Sequence, residues 1–81
     1  MNLGDGPAWL PLVGVIEVVV REVRPVSIHG DQYLDLVVSP DGREVALVRA
    51  PLAACATPPR GGDRVRLHLL MRQVDRVERL A

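Results

Sequence analysis

In the stretch LVGVIEVVVREV, residues 12–23, apolar residues fill both rows of a strand-like alternation. Gly14, Ile16, Val18 and Val20 make one row; Val13, Val15 and Val19 make the other, where a strand with one solvated face would carry polar groups. A first strand is predicted from Leu12 to Arg24, with Pro25 restricting its continuation. HGDQ (29–32) has turn chemistry. A second strand follows in YLDLVVS (33–39), with Leu34, Leu36 and Val38 on one face and Tyr33, Asp35 and Val37 on the other. SPDG (39–42) predicts a tight hairpin, Pro40 presetting φ and Gly42 accepting a positive one. The third strand, REVALVR (43–49), is then expected at once, its alternation placing Ala46 and Val48 outward.

In PLAACATP (51–58), Pro51 suits the first position of a helix, and alanines at 50, 53, 54 and 56 favour one or two turns. PRGGD makes a loop. The fourth strand, RVRLHLLMR (64–72), puts Val65, Leu67, Leu69 and Met71 inward and Arg66, His68, Leu70 and Arg72 outward. In QVDRVERLA, Val74, Val77 and Leu80 have helical spacing, but length and position favour a closing strand with an irregularity. Residues 1–11, with Gly4, Gly6 and Pro7, read as an N-terminal arm, and residues 12–81 as one domain. Eighty-one residues hold no material for a second core.

Composition supports strands. The 48% apolar content is mostly Val, Leu and Ala, with no Phe, one Trp (Trp9) and one Tyr (Tyr33), so the interior must be aliphatic. The expected class is all-β. A long first strand, a tight hairpin between strands two and three, a short helix after strand three and the GGDRVRL lead-in to strand four together resemble the OB-fold, across residues 12–80. Gly14 and Gly62-Asp63 sit where small OB domains such as bacterial translation initiation factor one carry similar residues. An SH3-like barrel also has five short strands. The resemblance implies a five-stranded OB-like Greek-key barrel with one short helix between strands 3 and 4, in strand order 1-2-3-5-4-1. Strand four would then lie beside strand one, bringing Arg21 and Arg24 towards Arg66, His68 and Arg72.

The net charge of zero hides an uneven distribution. Residues 1–48 carry three Arg and seven acids, net −4; residues 49–81 carry seven Arg and three acids, net +4. Such a split can mark a polyanion-facing side or mutual neutralisation within one domain. Cys55 stands alone, so an internal disulfide is impossible and a cytoplasmic setting is expected. The apolar run from Trp9 to Val20 is broken by Pro11, Gly14 and Glu17 and is too short to span a bilayer, so neither signal peptide nor anchor is expected.

Enzymatic readings fare poorly. Ser27, Ser39 and Thr57 have no nucleophile-elbow context, and Ser39 beside Pro40 reads as turn chemistry. His29 and His68 lack local ligand partners, so no metal or cofactor is expected. RGGDR lacks the lysine and the helix of a phosphate loop. A non-enzymatic binding module remains, in two versions. OB domains commonly bind single-stranded nucleic acid on strands two and three, arginines meeting phosphates and aromatics stacking on bases. On that resemblance Arg21, Arg24, Arg60, Arg64, Arg66 and Arg72 would contact phosphate, with Tyr33 and Trp9 for stacking, in replication, repair or RNA metabolism. The alternative is a protein-interaction or assembly domain. Its outer valines and leucine (Val13, Val15, Val19, Val37, Val48, Leu70) would form an apolar interface, most simply in a homodimer.

Overall fold

The structure is a computed structural model that describes residues 7–81; residues 1–6 of the predicted arm lie outside the described residues. Among the described residues, five strands form a single antiparallel sheet. They are β1 (Gly14–Ile28), β2 (Asp31–Ser39), β3 (Ala46–Pro51), β4 (Arg64–Leu70) and β5 (Gln73–Arg79), with one 3-10 turn at Leu52–Ala54 between β3 and β4. The hydrogen-bonded order is β3-β2-β1-β4-β5, which sets β4 beside β1 as expected.

The sheet does not close into a barrel. Its edge strands β3 and β5 pack against each other without a hydrogen-bonded ladder, and one parallel bridge, Cys55 to Val77, links the two sides. The reason lies at the end of β3. Pro51 has no N–H to give, and the next three residues turn in a 3-10 helix instead of running on beside β5. The predicted helix of one or two turns is therefore a single 3-10 turn.

Strand β1 is long because it serves two neighbours in succession. Gly14–Val19 pairs with β4, while Val19–Ile28 pairs with β2. At the handover Val20 pairs with Val38 and Glu22 with Val37, leaving Arg21 as the extra residue of a β-bulge. A bulge bends the strand and sharpens its twist, which curls one sheet around a common interior. Pro25 does not end β1, contrary to expectation. Past the handover the strand has β2 alone as partner, so an edge is free where a missing N–H costs nothing.

The hairpin between β2 and β3 is wider than SPDG suggests. Asp41 Oδ1 accepts hydrogen bonds from the backbone N–H of Arg43 (2.8 Å) and Glu44 (3.1 Å), and Ser39 Oγ accepts one from Gly42 N–H (2.7 Å). These bonds hold residues 40–45 as a loop and delay β3 until Ala46, which pairs with Val38. The register places Ala46, Val48 and Ala50 inside, Val48 at 7% exposure, and turns Val45 and Leu47 outward. The outward assignment of Ala46 and Val48 is thus corrected, because inside and outside exchange when register moves by one residue.

The irregularity expected in the last segment is a second bulge. Leu69 pairs with Val74 but His68 pairs with Arg76, so Asp75 is extra and both Val74 and Val77 point inward at helix-like spacing. Met71 leaves the strand. It occupies, with Arg72, the two-residue β4–β5 turn and is 67% exposed.

The core lies inside the curl and is aliphatic. Val18, Val20, Leu36, Val38, Val65 and Leu67 are its largest fully buried apolar side chains, and Trp9, Leu10, Ile16 and Val23 pack against it.

Candidate functional site

Cross-strand register sorts the arginines into partnered and unpartnered charges. On the outer face of β1, β2 and β3, Arg24, Asp35 and Arg49 form one row. Arg49 grips Asp35 through two parallel bonds, Nε to Oδ1 at 2.7 Å and Nη2 to Oδ2 at 3.0 Å, and Arg24 pairs with Glu22. The Arg49 guanidinium holds the Asp35 carboxyl below its usual range, and Asp35 in turn raises Arg49. On the other half of the sheet, Glu17, Arg66 and Glu78 form a row across β1, β4 and β5. Arg66 lies 3.1 Å from Glu17 and 3.9 Å from Glu78, whose carboxylate also meets His68 and, at 3.6 Å, Arg76. The hydrogen bond with His68 holds Glu78 below its usual pKa against an opposing cost of burial, and the charges of Arg76, His68 and Arg66 add to the lowering. Arg79 binds Asp63 at 3.0 Å.

Among the described residues Arg21, Arg43, Arg60 and Arg64 take part in no ion pair, and all four are exposed. They gather around the Arg21 bulge. Arg21 donates from Nη1 to the carbonyl of Gly42 (3.3 Å), the neighbour of Arg43. On the opposite side the bulge is tied to the 60–63 loop, Val20 N–H donating to the Asp63 carbonyl (2.8 Å) and Gly62 N–H to the Val20 carbonyl (2.7 Å). A Cβ at Gly61 would stand 3.2 Å from the Arg21 carbonyl oxygen, so a residue without one lets Arg60 come this near. Arg64 pairs with Val19, one step before the bulge begins. A notch of about 230 Å³ lined by Glu17, Val18, Val19, Pro40 and Arg64 opens beside it.

Among the described residues, Asp41 and Glu44 are the acidic side chains of this end without an arginine partner. The Asp41 carboxylate is turned into its own loop, and the N–H groups of Arg43 and Glu44 hold it below its usual pKa. The four guanidinia therefore outnumber the free carboxylates.

The six arginines predicted as one surface are not one surface. Arg21, Arg60 and Arg64 lie on the backbone segments that adjoin at the bulge. Arg24 and Arg66 are held by carboxylates, and Arg72 sits in the β4–β5 turn with its N–H bonded to the Leu12 carbonyl (2.8 Å), at the opposite end of β4 from Arg64. Arg43 was missing from the predicted set, and its position beside the hairpin glycine was the available signal. The two stacking candidates also separate. Trp9 is half-buried, packed against the core with the indole N–H buried and unbonded. Tyr33 is half-buried at the far end of β2, in a row with Val26 and Pro51.

The predicted apolar interface divides as well. Val13, Val15 and Leu70 are 58%, 54% and 57% exposed and adjoin Leu12 and Met71 where β1 begins and β4 ends. This answers the double-sided pattern of the first strand, because Trp9 and Leu10 turn towards the core and leave the outer valines uncovered. Val19 is half-buried at the bulge, Val37 lies half-buried on β2 in a separate groove with Val45 and Leu47, and Val48 is inside.

No group of three or more His, Cys, Asp or Glu suited to a metal occurs among the described residues. Burial pushes the Cys55 thiol up. Among the same residues no helix is long and apolar enough to cross a membrane. No protein-family model matches the chain, and neither a curated protein nor a solved structure matches it.

Proposed function

We propose that the protein is a non-enzymatic, cytoplasmic binding module with an OB-like Greek-key arrangement, and that it binds single-stranded nucleic acid at the end of the sheet marked by the Arg21 bulge. One observation carries this reading. The arginines that take part in no ion pair among the described residues, Arg21, Arg43, Arg60 and Arg64, all lie on segments that adjoin at a single kink. Like charges held together repel one another, and a phosphate backbone relieves that repulsion while releasing its counterions. The strand order β3-β2-β1-β4-β5, with β3 packed on β5, supports the OB-like reading.

The test is anisotropy of a labelled oligothymidylate at 50 mM salt. Arg60→Gln and Arg64→Gln should each weaken binding about three- to tenfold, while Arg24→Gln, already paired with Glu22, leaves it unchanged. Equal losses at all three positions, or no binding by the parent, would refute the assignment.

A second reading rests on a different observation. The contiguous exposed residues Leu12, Val13, Val15, Leu70 and Met71 favour docking of another protein, a second copy of this chain being the simplest. Sedimentation should then show a dimer that Val15→Asp converts to monomer; a monomeric parent removes self-association.

A further inference from the structure

We infer that two copies of the protein join edge to edge through the start of β1, so that their sheets run on as one. This rests on the assembly reading, the second of the two above, and names both its partner and its contact. Strand parity supplies the geometry. The Val20 N–H donates to the Asp63 carbonyl and the Val20 carbonyl accepts from Gly62, while the Leu12 carbonyl accepts from Arg72 N–H. Between these two anchors β1 pairs with β4 without a register shift. Even-numbered residues therefore turn their backbone groups towards β4, and Val13, Val15 and Glu17 turn theirs to the opposite side. Pairing with β2 on that side begins only at Val19. Among the described residues no strand lies along this edge at Val13 or Val15, so their N–H and C=O groups are open to one.

The other edges of the sheet are blunted. The second half of β1 is free on its β4 side, but it carries Pro25 and the exposed charges of Glu22 and Arg24. Strands β3 and β5 turn their outer edges to each other, with the Cys55 to Val77 bridge beside them. The Val13–Val15 edge has β-branched apolar side chains instead, 58% and 54% exposed. A second copy fits it because the edge complements itself. Turned about a two-fold axis at Gly14, β1 meets its copy antiparallel, Val13 opposite the partner's Val15, and each such pair exchanges two hydrogen bonds. Leu70, Val13 and the partner's Val15 then form one apolar row, and Glu17 lies beyond the pairs, where it opposes no like charge. Area argues for the backbone bonds as well. Leu12, Val13, Val15, Leu70 and Met71, 51–67% exposed, make a patch of a few hundred Å², short of the roughly 800 Å² per partner of a standard interface. Paired edges add to it, and the dimer is expected to dissociate on dilution.

Hydrogen exchange of the parent protein, read amide by amide by NMR in concentrated and dilute samples, tests the contact. The Val13 and Val15 amides should exchange about tenfold or more slowly in the concentrated sample, where sedimentation shows the dimer. Val15→Pro removes one edge N–H and no bond of the β1–β4 ladder. It should fold, as β1 does around Pro25, and sediment as a monomer, while Val15→Thr keeps the N–H and the branched shape and stays a dimer. A dimer whose two amides exchange alike at both concentrations, or a folded Val15→Pro that still dimerises, would overturn edge pairing and leave the assembly reading standing. A parent that is monomeric in the concentrated sample would overturn both. Should Val15→Pro fail to fold, the exchange rates of the parent decide alone.

Discussion

Trp9 shows how one side chain can look functional in sequence and prove structural. It is the chain's single indole, ahead of an apolar strand, and its ring lies against the core with the N–H buried and without an acceptor. A buried unsatisfied donor costs about 1–3 kcal/mol, comparable with what the larger ring gains over a smaller one. Trp9→Phe is therefore expected to hold or raise stability, whereas Trp9→Ala removes the packed ring and should cost about 2 kcal/mol, less than a fully buried aromatic would. Urea titration followed by circular dichroism separates the two. Met71 poses the reverse case. It sits at φ 53° in the β4–β5 turn, a left-handed conformation that disfavours side chains of its kind, with its apolar side chain in solvent. Met71→Asn suits that backbone and should stabilise by about 0.5–1 kcal/mol in the same titration. If the second reading of function holds, the same substitution weakens the dimer.

Strand existence was legible in the sequence because period-two alternation is a direct image of the pleat, and β2 and β4 follow it closely. Two bulges and one loop were not legible. Arg21 and Asp75 are ordinary charged residues in apolar runs, and nothing local says that each is an extra residue facing no partner. Val74 and Val77 therefore showed helical spacing within a strand. The loop at residues 40–45 is wide because Asp41 collects two N–H groups, and a tight SPDG turn would have put Val48 outside. The bulges lead to an unusual deletion pattern. Removing Asp75 leaves Val74 and Val77 on the inner face, now in regular alternation, so the protein should still fold with a loss of about 1 kcal/mol. Removing His68 from the regular stretch of β4 sends Leu69 or Leu67 to the outer face. Each exposed leucine forfeits about 1.5–3 kcal/mol, against a total stability of about 5–15 kcal/mol for a domain. Thermal melts of the two deletions should show a cooperative transition for both, with the midpoint clearly lower for the second.

At the scale of the whole molecule, part of the charge split between the halves of the chain is neutralised internally. Arg66, from the basic half, meets Glu17 from the acidic half across β1 and β4, and Arg49 meets Asp35 across β2 and β3. The sequence revealed the asymmetry but not its pairing, since register decides which arginine finds a carboxylate. That pairing makes the fold sensitive to acid. Asp35 is lowered chiefly by its hydrogen bond from Arg49, Asp41 by the N–H groups of Arg43 and Glu44, and Glu78 by its hydrogen bond with His68. A carboxyl whose folded pKa lies below its unfolded value contributes stability above the unfolded value, near 4, and loses it as pH falls through the folded one. The free energy of unfolding should thus decline below about pH 4. In Asp35→Asn and Glu78→Gln the decline should be shallower, because each variant has already given up its share at neutral pH. Urea midpoints from pH 2 to 6 test this, and parallel curves for parent and variants would show that these bridges add nothing to the fold. The unpaired arginines enter oppositely. Arg21, Arg43, Arg60 and Arg64 repel one another at every pH in this range, and Asp41 offsets part of that repulsion until it is protonated. A saturating oligothymidylate should therefore protect the protein most in the acid limb, where Asp41 has lost its charge.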